Sequence, residues 1–302
     1  MPQHFLKCLT SLGDNGRTSK KLLVATWNVA AVNNNPFEYW VTHPDPAYNM
    51  LMEGVQDFID NPGHRDVMIS EVFEPAMAEQ LFRDMRHHDI VYVDEVERLW
   101  HKDFKSRSII SGFLKDSNLG KKRLASMPDR ITNTVHTDSG GLVFRPTVIN
   151  YFEGDLSTMS KWWELWRKFM FMTEVQLCDS NRIGPIVIVD MLDPINAVKY
   201  PALTAEEERV SVPLQILCLA IFDSILVHML NHIGTETWQG IRTSLASAFL
   251  LNKDRQVASI ILDTYGGDND VVFIQEAAGA FIFGEGGQRI AQHYELLQVL
   301  AA

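Results

Sequence analysis

Cysteine is scarce in this 302-residue chain: Cys8, Cys178 and Cys218 are odd in number, far apart and without a C-x-x-C spacing. That leaves no basis for a disulfide framework or a thiolate zinc centre. Basic side chains are in deficit as well, 27 Lys and Arg against 38 Asp and Glu, for a net charge of -11. Such a surface repels polyphosphate at long range, so a nucleic-acid partner is disfavoured while a locally basic or metal-bridged site stays open. No fixed-period repeat or low-complexity tract is present, which excludes a solenoid. A long apolar run free of polar groups is also missing. The longest, Val212 to Leu230, contains Pro213, Gln215, Asp223 and His228; a lipid-facing helix would leave these unsolvated, so the run reads as a buried helix and no membrane partner is expected. Phe5 to Leu12 is too short, and too interrupted by Lys7, for the apolar stretch of a signal peptide, and an intracellular, cytoplasmic location is the expectation.

What is present is enough apolar material for a large core, 46% of residues. After a polar leader over residues 1–21, Leu22 to Ala30 is a short apolar run with an Asn cluster beyond it, and reads as a buried strand. Asp270 to Glu276 has the same character after the Gly266-Gly267-Asp268-Asn269 turn and reads as a second buried strand. A buried strand without a neighbour would leave its backbone groups unsatisfied, so the two are expected to pair although they lie at opposite ends of the sequence.

Between them the periodicity is helical. Spacing predicts helices over Tyr48 to Ile59, Pro75 to His87, Val91 to Phe104, Ser160 to Phe171, Ala205 to Ile233 and Glu236 to Asp263, with a closing helix over Gln288 to Leu300. Thr204 and Glu207 have capping-box spacing, and Ser160 is a candidate N-cap. Trp162, Trp163, Trp166, Phe169 and Met170 fall on one helical face and are expected in the core rather than in a base-stacking or cofactor role. The expected fold class is α+β, predominantly helical, with a small sheet pairing an N-terminal and a C-terminal strand. The expected layout is a β-containing portion over 22–71 and 264–302 around a helical insertion over 72–263.

Two strand ends carry polar residues that a structural strand does not require. Asn28 follows Trp27, and Glu276 follows Gln275; side by side, an amide oxygen and a carboxylate would suit Mg²⁺, a hard cation. Taken alone, Asn28 also reads as a turn residue and Glu276 as a solvated or salt-bridged carboxylate. The segment Leu23-Val24-Ala25-Thr26-Trp27-Asn28-Val29 resembles the opening strand of the endonuclease/exonuclease/phosphatase superfamily, the DNase I-like phosphoesterases. Asp270-Val271-Val272-Phe273-Ile274-Gln275-Glu276 resembles that superfamily's second motif. The resemblance implies a metal site at Asn28 and Glu276 holding Mg²⁺ or Mn²⁺, and a phosphoester substrate hydrolysed by activated water. It covers only the N-terminal part of the family pattern, since Gly-Asp-x-Asn and Ser-Asp-His have no counterpart after Glu276. It therefore implies a partial or degenerate phosphoesterase, weakly active or inactive as this chain. Separation of the motifs by a helical insertion is tolerable because loop-closure cost rises by only about 0.6 kcal/mol per doubling of length.

Several other groups compete for attention. Glu71, after Asp66-Val67-Met68-Ile69-Ser70, is the alternative metal carboxylate, or else a helix N-terminal charge. His87-His88 and the i, i+4 pair His228 and His232 could bind metal or be structural. From Lys102 to Arg130 eight basic residues face Asp103, Asp116 and Asp129 alone, so Lys121, Lys122 and Arg123 are candidate phosphate contacts, with a charge-balanced solvated face as the plain alternative. The different class of function open to such a chain is a non-enzymatic helical interaction protein in which both strand motifs are core segments.

Overall fold

The computed structural model describes residues 21–29, 35, 37, 40–177, 184–265, 269–277 and 279–297. Cys8, Cys178 and the Gly266-Gly267-Asp268 part of the expected turn lie outside them. Helices make up 58% of the chain and, among the described residues, the strands occur in pairs, a predominantly helical α+β fold. The chain divides into two compact units, residues 33–250 and residues 1–32 with 251–302.

The elements run β1 (Val24–Asn28), α1 (Ala47–Asp60), α2 (Ile69–Val72), α3 (Pro75–His87), α4 (Val93–Lys102), α5 (Ser117–Lys122) and α6 (Ser126–Thr132). A hairpin of β2 (Thr134–His136) and β3 (Leu142–Phe144) follows, then α7 (Met159–Met172) and the short antiparallel pair β4 (Glu174–Val175) and β5 (Ile186–Val187). The chain continues through α8 (Ala205–Arg209), α9 (Ser211–Ile233), α10 (Thr235–Ala246), α11 (Lys253–Ile260), β6 (Val271–Gln275), α12 (Gly279–Phe283) and α13 (Glu285–Ile290).

In the unit of residues 33–250, α9 is the central element. It is apolar all round, as a helix enclosed by others must be, and 78% of its most apolar window is buried within the protein. By length and composition it could cross a membrane, yet polar side chains along it meet protein groups: Gln215 Nε2 donates to Asp193 O at 2.9 Å, and Asp223 accepts from Arg145. The expected capping box is present ahead of it, with Thr204 N–H donating to Glu207 and Glu207 N–H to Thr204 Oγ1. Trp162, Trp163 and Trp166 of α7 are all buried, the last two stacked at 5.4 Å. The cap of α7 is Thr158, whose Oγ1 accepts from Lys161 N–H, rather than Ser160; an N-cap must lie outside the helix, and α7 begins at Met159.

A buried ion pair joins four segments of this unit. Arg145, just past β3, is fully buried and uses all five of its N–H donors. Nε and Nη2 grip Asp223 of α9 at 2.7 and 3.1 Å, while Nη2 also donates to Asp129 Oδ1. Nη1 donates to Thr132 Oγ1 and, at 3.3 Å, to Asp129 O. Trp166 Nε1 adds a third donor to Asp223 at 2.8 Å. Burial pushes the Asp223 carboxyl up toward its neutral form, but three donors aimed at it favour the ionised state.

In the second unit β1 and β6 pair in parallel, in the register Val24↔Val271 through Asn28↔Gln275. The expected neighbours are thus neighbours, across 247 positions of sequence, with the central unit in the crossover that parallel strands require. The start of the pair is clamped by Asp270, whose Oδ2 accepts Leu23 N–H at 2.9 Å and whose own N–H donates to Leu23 O. The strands are half-buried rather than buried. Trp27, Val29 and Ile274 pack toward Val257, Ala258, Ile261, Phe281 and Ile290, while Thr26, Asn28, Phe273 and Gln275 alternate to the exposed side. With one face packed, period-2 alternation applies even to a run of apolar residues.

Several boundaries differ from the sequence expectation: the single helices expected over Ala205 to Ile233 and Glu236 to Asp263 are each divided, into α8 and α9 and into α10 and α11. Helix α1 belongs to the central unit, because Tyr48, Leu51, Met52 and Phe58 are buried in its core. Residues 251–263 belong with the strands, through Val257, Ala258 and Ile261. The closing helix runs Glu285–Ile290 instead of Gln288 to Leu300, with Gly286 and Gly287 inside it. A Cβ at Gly287 would sit 2.2 Å from Ile282 O, and one at Gly286 2.7 Å from Asp254 O; these glycines permit close packing rather than breaking the helix.

Replacing Asp223 by Ala should destabilise the central unit by about 3–5 kcal/mol, since it strips Arg145 of its main buried counter-charge. Replacing Arg145 by Met and Asp223 by Leu together should recover much of that loss. Denaturant unfolding of the single and double variants measures both.

Candidate functional site

Parallel pairing sends both strands of the β1–β6 pair out of the same end of the sheet. Asn28 closes β1 opposite Gln275, and Glu276 is the next residue after β6; both are exposed. Gln275 is held back along the sheet by its own amide, Nε2 donating to Thr26 Oγ1 at 2.8 Å. Glu276 leaves the strand with φ +54°, a left-handed conformation that costs a non-glycine residue of order 1 kcal/mol or more. The turn that begins there ends the alternation, and it begins on the carboxylate that sequence singled out.

Lys253, at the start of α11, lies within the field of Glu276. Burial lowers its pKa, and the charges of Asp254 and Glu276 oppose that shift. The strand end therefore carries an amide and a carboxylate, and the half-buried Lys253 is near enough for the charge of Glu276 to act on it. Sequence reasoning passed over Lys253 because nothing local marks it; α11 brings it to β6 only in the folded unit. Among the described residues no three His, Cys, Asp or Glu side chains form a cluster able to hold a metal, so a cation here would rest on two protein oxygens and water. Mg²⁺ is commonly bound that way, through one or two carboxylates and retained waters, and the hard-oxygen donors of Asn28 and Glu276 fit it.

The other sequence candidates are placed as follows. Glu71 does not end a strand: the helix α2 begins at Ile69, and Glu71 Oε1 accepts the Met68 N–H at 2.9 Å, capping its first turn. Lys122 is half-buried and its Nζ donates to Glu207 at 2.5 Å, so its charge is compensated inside the fold. Arg123 terminates α5 with φ +61° and reaches Ser126 Oγ at 3.5 Å, and Lys121 is exposed. Elsewhere in the basic stretch Arg107 pairs with Asp103 and Asp116, and Lys115 with Asp60. The five-charge excess legible in sequence is thus partly neutralised by acids outside the stretch. His88 caps α3 and lies against Phe171 at 5.3 Å.

A concave feature of about 370 Å³ lies between α3 and α7 and is lined by Glu74, Met77, Gln80, Trp163, Glu164 and Arg167. Several of its polar groups are already engaged. Trp163 Nε1 donates to Gln80 Oε1 at 2.7 Å, and Arg167 grips Asp84 through Nε and Nη2.

The molecule is therefore a predominantly helical α+β protein in which Asn28 and Glu276 are exposed at one end of a parallel strand pair. It belongs to the DUF8234 family, described as a domain of unknown function: residues 66–243, more than half of the chain, match the family model. That match falls wholly within the central helical unit and includes neither Asn28 nor Glu276. No curated protein and no solved structure matches the chain.

One titration in the central unit is open to measurement. Burial is the main cause, and His232 a lesser one, of the drop in the His228 pKa from the ordinary 6.5 to about 4, against a small opposing pull from Glu71. A histidine neutral when folded and protonated when unfolded contributes stability above pH 6.5 that is lost as pH falls toward 4. Discounted for the exposed part of the ring, the loss should be about 1–2 kcal/mol. Replacing His228 by Phe should flatten the pH 5 to 6.5 part of the stability curve, where carboxylates contribute little.

Proposed function

We propose that the strand-pair unit is part of a metal-dependent phosphoesterase of the endonuclease/exonuclease/phosphatase type, with the DUF8234 helical unit inserted between its first two motifs. The observation that carries this reading is the parallel register Asn28↔Gln275, which brings the ends of both motifs to one edge of one sheet. Asn28 and Glu276 would hold Mg²⁺ or Mn²⁺. Bound there, the cation would neutralise a phosphate and stabilise the charge that develops on the departing oxygen. The chain's own residues do the positioning: Asp270 clamps the strand starts, Gln275 is fastened to Thr26, and the left-handed turn at Glu276 presents its carboxylate at the rim. Lys253 balances Glu276 and adds a positive charge beside any phosphate drawn in. The substrate is a phosphoester. Turnover by these residues is expected to be weak, since Asn28 and Glu276 supply metal ligands but no general base is assigned beside them.

Titration of the full chain with Mg²⁺ or Mn²⁺ tests this directly. At ten times the dissociation constant the unfolding free energy of the strand unit should rise by about 1.4 kcal/mol. Glu276→Gln should abolish the rise, and Asn28→Ala should weaken it. An unchanged melting temperature in the parent chain sinks the reading.

Glu276→Gly supplies a complementary outcome. Removing the side chain from a left-handed position should stabilise the metal-free unit by up to about 1 kcal/mol while eliminating its response to the metal. Thermal unfolding with and without Mn²⁺ reads both effects.

A further inference from the structure

Outside the strand unit, the last turns of α9 carry a second arrangement with ligand chemistry. His228 and His232 lie one helical turn apart on the same face, their ring centroids 4.2 Å apart at 48°. Phe58 of α1 stands edge-on to both, at 6.3 Å from His228 and 6.2 Å from His232, and backs the pair with an apolar wall. His232 Nδ1 lies 2.9 Å from His228 O. A carbonyl can only accept, so Nδ1 carries the proton and Nε2 of the neutral ring keeps its lone pair. This is the arrangement by which metal-binding imidazoles are usually oriented, one nitrogen held by a backbone carbonyl and the other aimed at the ion. Among the described residues, no hydrogen bond reaches His232 Nε2 or either ring nitrogen of the half-buried His228. Two imidazoles thus face each other with lone pairs unspent.

We propose that His228 and His232 form a two-imidazole clip for one borderline divalent transition-metal ion of the Zn²⁺ class, open to solvent on its remaining positions. Metal–nitrogen bonds of about 2.0–2.1 Å at a near-tetrahedral angle place two ligating rings with centroids about 5 Å apart. Opening the pair from 4.2 Å to that spacing takes a small change in χ1, while rotation about χ2, a soft torsion in histidine, turns the nitrogens toward the ion. Imidazole nitrogen prefers Zn²⁺, Ni²⁺ and Cu²⁺ over Mg²⁺, so this clip and the oxygen pair at Asn28 and Glu276 would select different ions. Glu71 on α2 is the carboxylate whose charge acts on His228. Its Oε1 is taken by Met68 N–H, and among the described residues Oε2 accepts no hydrogen bond. No three His, Cys, Asp or Glu side chains already converge here, among the described residues; Glu71 therefore acts on the ion from a distance or through water, and binding is reversible.

Calorimetric titration of the full chain with Zn²⁺, combined with ¹⁵N NMR of the imidazoles, tests the clip. One Zn²⁺ site should appear, with the Nε2 resonance of His232 shifting on binding. His232→Gln, at an exposed position, should weaken the site at least tenfold without changing the metal-free melting temperature, while Glu71→Gln should weaken it only a few-fold. Glu276→Gln should leave Zn²⁺ binding intact even where it removes the Mg²⁺ response, which separates this proposal from the phosphoesterase reading. Absence of Zn²⁺ binding, unchanged affinity in His232→Gln, or stationary imidazole nitrogens would overturn it.

Discussion

The central unit depends on a charge placed where water cannot reach it. Asp223 sits midway along a predominantly apolar helix, and desolvating a carboxylate costs several kcal/mol unless donors replace its hydration. Arg145 and Trp166 supply them. Because Arg145 also binds Asp129 and Thr132, α6, the exit of β3, α7 and α9 can meet in one arrangement only. A purely apolar interface between these helices would tolerate sliding; a guanidinium with all five donors spoken for does not. The stacked tryptophans of α7 then fill the space that this arrangement leaves.

The strand unit is organised by a different constraint. A two-stranded parallel pair has little intrinsic stability, and here it is fastened at both ends, by Asp270 at its start and by Gln275 on Thr26 near its finish. Its packed face rests on α11, α12 and α13, whose close approach requires Gly286 and Gly287. The opposite face and the strand ends are left polar or exposed. Packing and exposure are thereby separated: the inward residues hold the pair together, and the ends of the same strands leave Asn28 and Glu276 exposed.

Local patterns were legible wherever the interaction that makes them is itself local. Helix α3 follows its apolar spacing and N1 proline residue for residue, and the Thr204–Glu207 box forms because both partners lie within one turn. The strand pair was legible for a different reason, since two β-rich segments in a helical chain have few other partners. Patterns less legible are those in which tertiary contact changes the meaning of a residue. The closing helix, expected from Gln288, starts at Glu285 because Gly286 and Gly287 allow close packing; the charge of Lys122, a candidate phosphate contact, is met by Glu207, 85 positions away. Lys253 carried no sequence signal, because its relation to Glu276 exists only once α11 lies beside β6.

The sequence by itself determined the helical class, the element boundaries set by caps and prolines, the burial of the tryptophan face and the candidacy of Asn28 and Glu276, because each follows from chemistry within a few residues or from the period of a single element. Tertiary structure alone decided which unit α1 and residues 251–263 join, which cations are already neutralised, and that Asp223 is met by Arg145. Those outcomes depend on the desolvation of charges brought together from distant positions, an energy that exists only when the elements have packed.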